Sequence, residues 1–171
     1  IKVSRMQRFL HRMDQRRNQT NRERYIRILG DRKENITPMN ILKYELWEEC
    51  KGTCPYTGIE ISLDKLWTEE ININYINPWS HSLNDSVFNK TLCYSFFQDI
   101  LKERNPYEYF NEEDPDAWES IKKRTAKLFS STSLHPTSYG KFKRFIKKYN
   151  LRNLNVSQFN DSNSLSRSVH S

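Results

Sequence analysis

The chain has 171 residues, 36% of them hydrophobic, and its 28 Lys and Arg outnumber its 21 Asp and Glu, giving a net charge of +7. This composition predicts one modest domain with a small core, and no apolar run approaches the ~18 residues of a transmembrane helix. The basic N-terminus lacks the apolar segment of a secretory signal, and three cysteines fit a reducing cytoplasm better than a disulfide framework. The absence of an initial Met indicates a fragment of a longer chain.

Positive charge is concentrated in two flanks. Residues 1–33 hold eleven Lys or Arg against three acidic residues, and residues 121–152 hold ten against none. Such flanks favour contact with phosphate, although solvated helix faces would explain the same charge. The candidate nucleic-acid contacts are Arg12, Arg16, Arg17, Arg22, Lys122, Lys123, Arg124, Lys143, Arg144 and Lys147.

The first third of the chain predicts helices joined by a compact loop. An apolar stripe from Met6 to Met13 lapses and resumes at Tyr25, which indicates a long connecting helix that Gly30 ends. Thr37 and the proline after it predict the cap and first turn of a helix to about residue 49. Beyond it we expect a tight loop over 54–58, a short strand over 59–61 and a helical turn over 63–67.

The middle of the chain predicts a strand over 71–77, a loop over 78–86, an apolar piece at 87–88 and a helix near 95–104. Pro106 then opens a further helical turn.

The last third of the chain predicts two helices and an irregular end. An acidic segment over 111–116 caps an amphipathic helix that contains Trp118 and Phe129, and a second, basic helix begins near Pro136. From Asn150 the chain becomes rich in Asn and Ser, which indicates a loop or frayed end. The predicted class is α+β, mostly α.

The order of motifs from residue 54 to 110 carries a family resemblance. A CPYTG block at 54–58 precedes a strand, a Pro-x-Ser at 78–80, an NKTLC block at 89–93 and a PYEYF block at 106–110. This order resembles the HNH nuclease module of the type II CRISPR-associated RNA-guided DNA endonucleases. The resemblance implies a two-stranded ββα-metal core with long basic flanking helices, Mg²⁺ as cofactor, and metal-dependent cleavage of the guide-paired target strand. It also implies guide RNA and target DNA as partners within a larger effector of the bacterial cytoplasm.

The positions that carry the family's chemistry differ in this chain. The family pattern D-H-I-x-P-x-S falls on residues 74–80, so Asn74 takes the place of a metal-binding Asp and Tyr75 that of the general-base His. The pattern N-K-x-L falls on 89–92, and six residues later Gln98 replaces a metal-binding Asn. Asn89, which in the family ties the loop together, is present.

These replacements predict an impaired or inactive nuclease that docks on nucleic acid. Asn74 removes a charge that faces the cation, and a phenol with an unperturbed pKa near 10 is a poor base at neutral pH. Gln98 is one methylene too long for an oxygen that must lie about 2.0–2.1 Å from Mg²⁺. We therefore expect no productive Mg²⁺ binding.

Other interpretations stay open at this stage. A divergent but active nickase would use His81 as its base with carboxylates such as Asp85 or Asp99. Tyr75 as a covalent nucleophile and plain sequence decay are further options. Trp79, beside the altered site, is a candidate for stacking on nucleic acid. A zinc site is disfavoured against simple packing of thiols, and its ligands would be Cys50, Cys54, Cys93 and His81.

The ends of the chain extend the resemblance to the edges of a RuvC-like nuclease. Ile1 to Arg5 resembles the family's I-E-x-A-R, with Lys2 at the position of a metal-binding Glu, and residues 159–161 resemble the start of the third RuvC part. The expected organisation, for a monomeric piece, is a RuvC edge and helical linker (1–36), an HNH core (37–112), a helical extension or second linker (113–150) and a RuvC-edge tail (151–171).

Overall fold

The structure, a computed structural model, describes residues 12, 15, 16, 19, 20, 22–27, 36–130 and 138–149. From residue 36 onward the elements are α1 (Pro38–Glu49), α2 (Leu63–Leu66), β1 (Ile71–Tyr75), α3 (Trp79–Ser82), a 3-10 turn (Val87–Asn89), β2 (Lys90–Tyr94), α4 (Ser95–Leu101), α5 (Pro106–Glu113), α6 (Pro115–Leu128) and α7 (Ser138–Ile146). The predicted class, α+β and mostly α with one small sheet, is confirmed. No helix of the described segments is long and apolar enough to cross a membrane.

The N-terminal helical residues reach the core through Tyr25. The described residues between 12 and 27 are helical, and Tyr25 is fully buried with its ring 4.9 Å from that of Trp67. Arg24 adds an ion pair of 3.2 Å with Glu48 on α1. Four predicted features lie outside the described residues. They are the apolar stripe from Met6 to Met13, the helix end at Gly30, the helix start near Pro136 and the irregular tail from Asn150.

Helix α1 begins where the sequence predicts. The side chain of Thr37 accepts a hydrogen bond of 3.2 Å from the backbone N–H of Asn40, and Pro38 occupies the first turn, where no N–H is needed. The helix contacts the strand Lys90–Tyr94, and its Tyr44 and Leu46 are buried in the core.

The predicted strand over 59–61 is wrong, because this segment forms only one bridge, between Thr53 and Glu60. The CPYTG loop folds back on itself: the N–H of Gly58 donates to Cys54 O at 2.8 Å, and the N–H of Cys54 donates to Ile59 O at 2.9 Å. Gly58 has φ +77, a left-handed conformation that glycine adopts without strain. Because the loop over residues 54–59 turns back so tightly, too few residues remain extended to form a strand ladder.

The sheet is a single antiparallel hairpin of β1 and β2 in which Ile73 pairs with Leu92. Strand β1 ends two residues before the predicted limit of 77, and the predicted loop over 78–86 contains the short helix α3. Helix α4 stops at Leu101, three residues early, because Lys102 adopts a positive φ of 51. The two strands and α4 form the expected ββα unit.

Helices α5 to α7 pack on one another and share a core with the hairpin. Asn105 and Glu108 form a capping box at the start of α5, and Asp114 caps α6 by accepting from the N–H of Ala117 at 3.0 Å. Trp118 and Ile121 of α6 join the same apolar cluster as the residues of β1 and β2.

A buried ion pair joins α7 to α1. Lys141 is fully buried and its ammonium contacts the carboxylate of Glu49, whose side chain is 3% exposed. Burial of a charge is costly without an opposite charge, so this contact fixes how α7 packs on α1.

Candidate functional site

Two of the altered positions, 74 and 75, lie at the end of the hairpin that leads into the loop between β1 and β2. Asn74 pairs with Thr91 and Tyr75 with Lys90 across the two strands. Because successive side chains of a strand point to opposite faces, the side chains of Asn74 and Tyr75 have different partners.

Asn74 is held by the CPYTG loop. Its amide Nδ2 donates a hydrogen bond of 2.8 Å to the hydroxyl of Tyr56, which is 3% exposed. Burial is the main reason that the pKa of Tyr56 lies well above its usual value, so this phenol is neutral. The inner side of the site therefore pairs two uncharged groups where the family pattern has a carboxylate.

Tyr75 is engaged by a carboxylate and a cation. Its hydroxyl donates to Asp85 Oδ1 at 2.6 Å, and Lys90 Nζ lies 2.7 Å from the same oxygen. Lys90 Nζ is also 5.4 Å from the centre of the Tyr75 ring. Partial burial, then the hydrogen bond to Asp85 and its negative charge, raise the pKa of Tyr75 to about 12. The phenol is protonated at neutral pH and cannot act as a base there.

Asp85 stays ionised in this arrangement. Partial burial works against its charge, but the hydrogen bonds from Lys90 and Tyr75 and the positive charge of Lys90 outweigh it, so the pKa of Asp85 is lowered. An aspartate with a lowered pKa that is already paired with an ammonium is a weak proton acceptor for a neighbouring phenol.

Gln98 joins α4 to β1. Its Nε2 donates to the backbone oxygen of Ile73 at 3.0 Å, and its Oε1 accepts from Asn72 Nδ2 at 3.1 Å. Both ends of the amide thus contact β1.

Asn89 organises the loop between the strands. It is fully buried, its Oδ1 accepts from the N–H of Asn77 at 2.9 Å, and its Nδ2 donates to Asn77 O at 2.9 Å and to Asn84 O at 3.0 Å. One side chain therefore satisfies backbone groups on both sides of α3.

An open groove of about 250 Å³ lies beside these positions. Asn74 and Tyr75 line it with the Pro78–Ser80 turn and with the segment that follows α4. Trp79 on its rim is 51% exposed. The groove thus lies beside two of the positions where the family pattern has its chemistry.

The side chains at the family's metal positions do not fit Mg²⁺. This ion is bound through one or more carboxylates and tolerates only near-ideal geometry. Asn74 and Gln98 supply amides, and Gln98 Oε1 already accepts a hydrogen bond. The described part of the chain contains no group of three or more His, Cys, Asp and Glu side chains that could hold a metal ion.

The lack of such a group among the described residues also applies to the zinc site and to the His81 site with its carboxylates, which the sequence offered as alternatives. Cys50, Cys54, Cys93 and His81 are all described, and they do not come together as a zinc site. All three thiols are free and buried, and Cys50 Sγ lies 3.5 Å from Thr91 Oγ1. His81 lies on α3 and Asp99 on α4, both exposed.

The candidate nucleic-acid contacts fall into two groups. Lys123, Lys143 and Lys147 are exposed, as are Arg12, Arg16 and Arg22 of the N-terminal helix. Lys122 is half-buried and paired with Glu119 at 2.5 Å. Arg17 and Lys2 lie outside the described residues.

The two remaining arginines make internal contacts. Arg124 Nη1 donates to Pro55 O at 2.9 Å and to Tyr56 O at 2.7 Å. Arg144 lies over the ring of Phe88 at 5.9 Å, and burial lowers its pKa. Arg124 thus supports the loop that holds Asn74. The sequence did not predict this structural role of Arg124.

Tyr56 and Lys90 are the other site residues that the sequence did not suggest. Both belong to the matched CPYTG and NKTLC blocks, and that membership was the available signal. Their partners are 18 and 5 residues away, and the contacts depend on how the intervening loops fold.

The segment that holds the altered positions matches a known family. Residues 54–102 match the family model described as HNH endonuclease. This segment is therefore an HNH endonuclease region, as the sequence predicts.

Curated relatives show which kind of HNH endonuclease region this is. The chain is 34% identical over 87 residues to the CRISPR-associated endonuclease Cas9 of Campylobacter jejuni, covering 50% of this chain and 9% of that protein. It is 33% identical over 78 residues to Cas9 1 of Streptococcus thermophilus, covering 44% of this chain and 7% of that protein. The matched region is thus an HNH region of the type II CRISPR Cas9 kind. The chain spans less than a tenth of the length of these curated relatives.

Solved structures show the same fold. Streptococcus thermophilus Cas9 in complex with the GGAA PAM superposes with a TM-score of 0.66 at 18% identity, covering 98% of this chain and 17% of that one. The Type II-C Cas9 of Actinomyces naeslundii gives a TM-score of 0.61 at 16% identity, covering 86% and 16% of the two chains.

Proposed function

We propose that this chain is the HNH region of an RNA-guided DNA endonuclease, and that in this copy the region docks on nucleic acid without cutting it. One observation carries the proposal. At all three positions where the family pattern has its chemistry, a neutral side chain is engaged in hydrogen bonds within the protein: Asn74 with Tyr56, Tyr75 with Asp85, and Gln98 with Ile73 and Asn72. A site in this state has neither a base nor a charged metal ligand.

Guide RNA and target DNA, within a larger effector of the bacterial cytoplasm, are the proposed partners. The kinship with Cas9 endonucleases supports this assignment, and so do the exposed Lys123 on α6, Lys143 on α7 and Lys147 directly after α7. Mg²⁺ is the cofactor of the proposed family, and this copy binds it without catalytic effect or not at all. The RuvC edges at both ends, including Lys2, and the division at residues 36, 112 and 150 remain part of this proposal.

A strand-resolved nicking assay tests the loss of cleavage. The effector that contains this region, loaded with a guide, is incubated with a labelled target in Mg²⁺ and then in Mn²⁺. We expect no cleavage of the guide-paired strand, with or without Tyr75→Phe. Cleavage of that strand that disappears with Tyr75→Phe would contradict the proposal, because it would make the phenol a working group.

The triple substitution Asn74→Asp, Tyr75→His, Gln98→Asn is the complementary test. Tyr56 can turn its hydroxyl to donate to an aspartate at 74, and Asp85 can accept from an imidazole at 75. We expect metal-dependent nicking to appear. The matched control combines Asn74→Asp and Gln98→Asn with Tyr75→Phe, and its rate should be lower by the roughly 10²- to 10⁴-fold that a general base contributes. Equal rates for the two would refute the assignment of position 75.

The alternative nickase that uses His81 makes a different prediction. Its carboxylates would be Asp85 and Asp99, so calorimetry should show Mn²⁺ binding that Asp85→Asn or Asp99→Asn abolishes. The observed pairing of Asp85 with Lys90 and Tyr75 works against this candidate, because a ligand would have to give up both contacts.

A further inference from the structure

Trp79 is the most exposed of the four tryptophans. Its side chain is 51% exposed, whereas Trp118 is 4% exposed and Trp47 and Trp67 are partly buried in the core. An indole on the surface exposes a large apolar area to water, and this one stands on the rim of the groove beside the altered site.

The backbone under Trp79 is fixed. Pro78 precedes it, and the N–H of Leu83 donates to the backbone oxygen of Trp79 at 2.8 Å to close α3. The turn is anchored further by Asn89, whose side chain bonds to Asn77 and Asn84 on either side of α3. A rigid aromatic side chain loses little conformational freedom when a planar ligand stacks on it.

The segment 102–104 lines the same groove with two cations and one carboxylate. Lys102 is exposed, and the guanidinium of Arg104 lies 4.7 Å from the Tyr109 ring centre and 3.1 Å from Glu113. The single carboxylate of the groove, Glu103, accepts a hydrogen bond from the hydroxyl of Ser80. Because Arg104 is paired with Glu113, the exposed Lys102 is the cation that the groove offers to a phosphate beside the indole of Trp79. Single-strand binding proteins combine such cations with aromatic side chains on which bases stack.

The size of the groove limits its occupant. Its volume of about 250 Å³ is smaller than the roughly 300–1,000 Å³ of pockets that enclose drug-sized ligands. In a duplex the faces of the bases are covered by their neighbours, so an indole can stack only on a base that has left the helix.

We infer that this groove binds one unpaired nucleotide, with its base stacked on Trp79 and its phosphate near Lys102. The inference rests on the proposed docking function and adds to it the form of the ligand: a single strand or an extruded base rather than intact duplex. The same groove can admit the base without any cleavage, because stacking needs neither metal nor general base.

Fluorescence anisotropy on the full 171-residue chain tests the inference. The probes are a labelled oligothymidylate of about 12 nucleotides, within the range of single-strand sites, and a duplex of equal length, both at low salt. We expect the single strand to bind more tightly than the duplex. Trp79→Ala should weaken single-strand binding about 5- to 100-fold, in line with base–aromatic stacking energies, and Trp79→Tyr should restore most of the affinity.

The matched control is Phe96→Ala. Phe96 is 49% exposed, almost as much as Trp79, but it lies on α4 and does not line the groove. Its substitution should leave single-strand affinity within about twofold of the parent, which is below the smallest loss expected from stacking. Thermal unfolding of all three variants establishes that they fold.

The remaining outcomes separate the two proposals. If neither probe binds the parent chain, the docking function and the nucleotide groove both fail. If both probes bind and Trp79→Ala changes neither affinity, docking stands and the groove assignment is refuted. A parent chain that sediments as a dimer, and as a monomer with Trp79→Ala, would show that a second copy covers the indole and would also overturn the assignment.

Discussion

Tyr75 donates a hydrogen bond of 2.6 Å to Asp85 across a loop of nine residues. Lys90, the cross-strand neighbour of Tyr75, holds the same carboxylate oxygen at 2.7 Å. The end of β1, the loop and the start of β2 are thereby connected by three side chains. In the family pattern a base occupies position 75; here the residue at that position fastens the loop to the sheet.

Replacing the Tyr75 hydroxyl should cost little stability. Tyr75→Phe removes one hydrogen bond but leaves Lys90 on Asp85, so we expect a loss of about 1 kcal/mol or less in the free energy of unfolding. Urea denaturation measures it. A loss above about 3 kcal/mol would show that the phenol is a buried structural group, contrary to the partial exposure seen here.

The pH dependence of stability should follow the two shifted groups. The folded pKa of Tyr75, about 12, is above its unfolded value, so its contribution is complete below pH ~10 and is lost as pH rises through 12. The folded pKa of Asp85 is lowered, so its contribution is present above its unfolded pKa near 4 and is lost as pH falls through the folded value. The difference in unfolding free energy between the parent and Asp85→Asn should therefore be constant near neutrality and shrink in acid. A difference that grows on acidification would contradict this sign.

Asn89→Ala should be the most damaging single change in the loop. It leaves the N–H of Asn77 and the partly buried C=O of Asn84 without their side-chain partner, and it leaves the C=O of Asn77 with only the longer bond from Ser82 Oγ at 3.4 Å. Each buried group left unpaired costs about 1–3 kcal/mol. We expect a loss of roughly 3 kcal/mol or more. Asn72→Ala is the control, since its one bond, to Gln98, is only partly buried and should be worth about 1 kcal/mol. Similar losses for the two would show that Asn89 does not organise the loop.

Gly58→Ala should destabilise the CPYTG loop. Gly58 has φ +77, and a Cβ there would lie 2.7 Å from Arg124 Nε, so the guanidinium that bonds to Pro55 and Tyr56 must move. The backbone strain alone costs about 1–2 kcal/mol. Gly140→Ala is the control, because it lies in α7 with no positive φ and its nearest contact would be 3.2 Å. In thermal unfolding we expect a higher midpoint temperature for Gly140→Ala than for Gly58→Ala. A lower midpoint for Gly140→Ala would contradict the role of the loop glycine.

The cysteines should resist modification until the chain unfolds. Burial is the first cause that raises the pKa of Cys50 to about 12, and burial likewise raises the pKa of Cys93, while all three thiols have no exposed surface. The reactive species is the thiolate. Ellman's reagent should therefore detect no thiol in native buffer and three in denaturant. Fast reaction of one thiol in the native chain would place a cysteine at the surface and contradict this packing.

Local sequence signals predicted the helices well. Thr37 with Pro38 marked the start of α1, and the acidic segment before α6 contained its cap, Asp114, because capping depends on residues three positions apart. The strand expected over 59–61 failed for a tertiary reason. Its alternating isoleucines belong to a loop and not to a strand ladder: Ile61 is buried in the core and Ile59 is 51% exposed.

The motif blocks predict the positions of the site, but they do not predict its contacts. The blocks align without gaps and so assign Asn74, Tyr75 and Gln98 to the positions of the family's chemistry, an assignment that stays a prediction. Their partners Tyr56, Asp85 and Asn72 lie 18, 10 and 26 residues away, and such pairs form only when the hairpin, loop and α4 have assembled. Arg124 shows the same limit: a basic helix suggests phosphate contact, but which arginine turns inward depends on the loop it meets.

The buried contact between Lys141 and Glu49 sets the smallest piece of this protein that can be studied alone. A fragment that ended at residue 112, the limit of the HNH core expected from the sequence, would remove the ammonium group of Lys141 from the Glu49 carboxylate, which is 3% exposed in the intact chain. Loss of one partner of a buried pair typically costs about 3–5 kcal/mol, a large share of the roughly 5–15 kcal/mol that stabilises a domain. Any excised or transplanted version of this region therefore needs to continue through α7, 92 residues beyond its partner on α1.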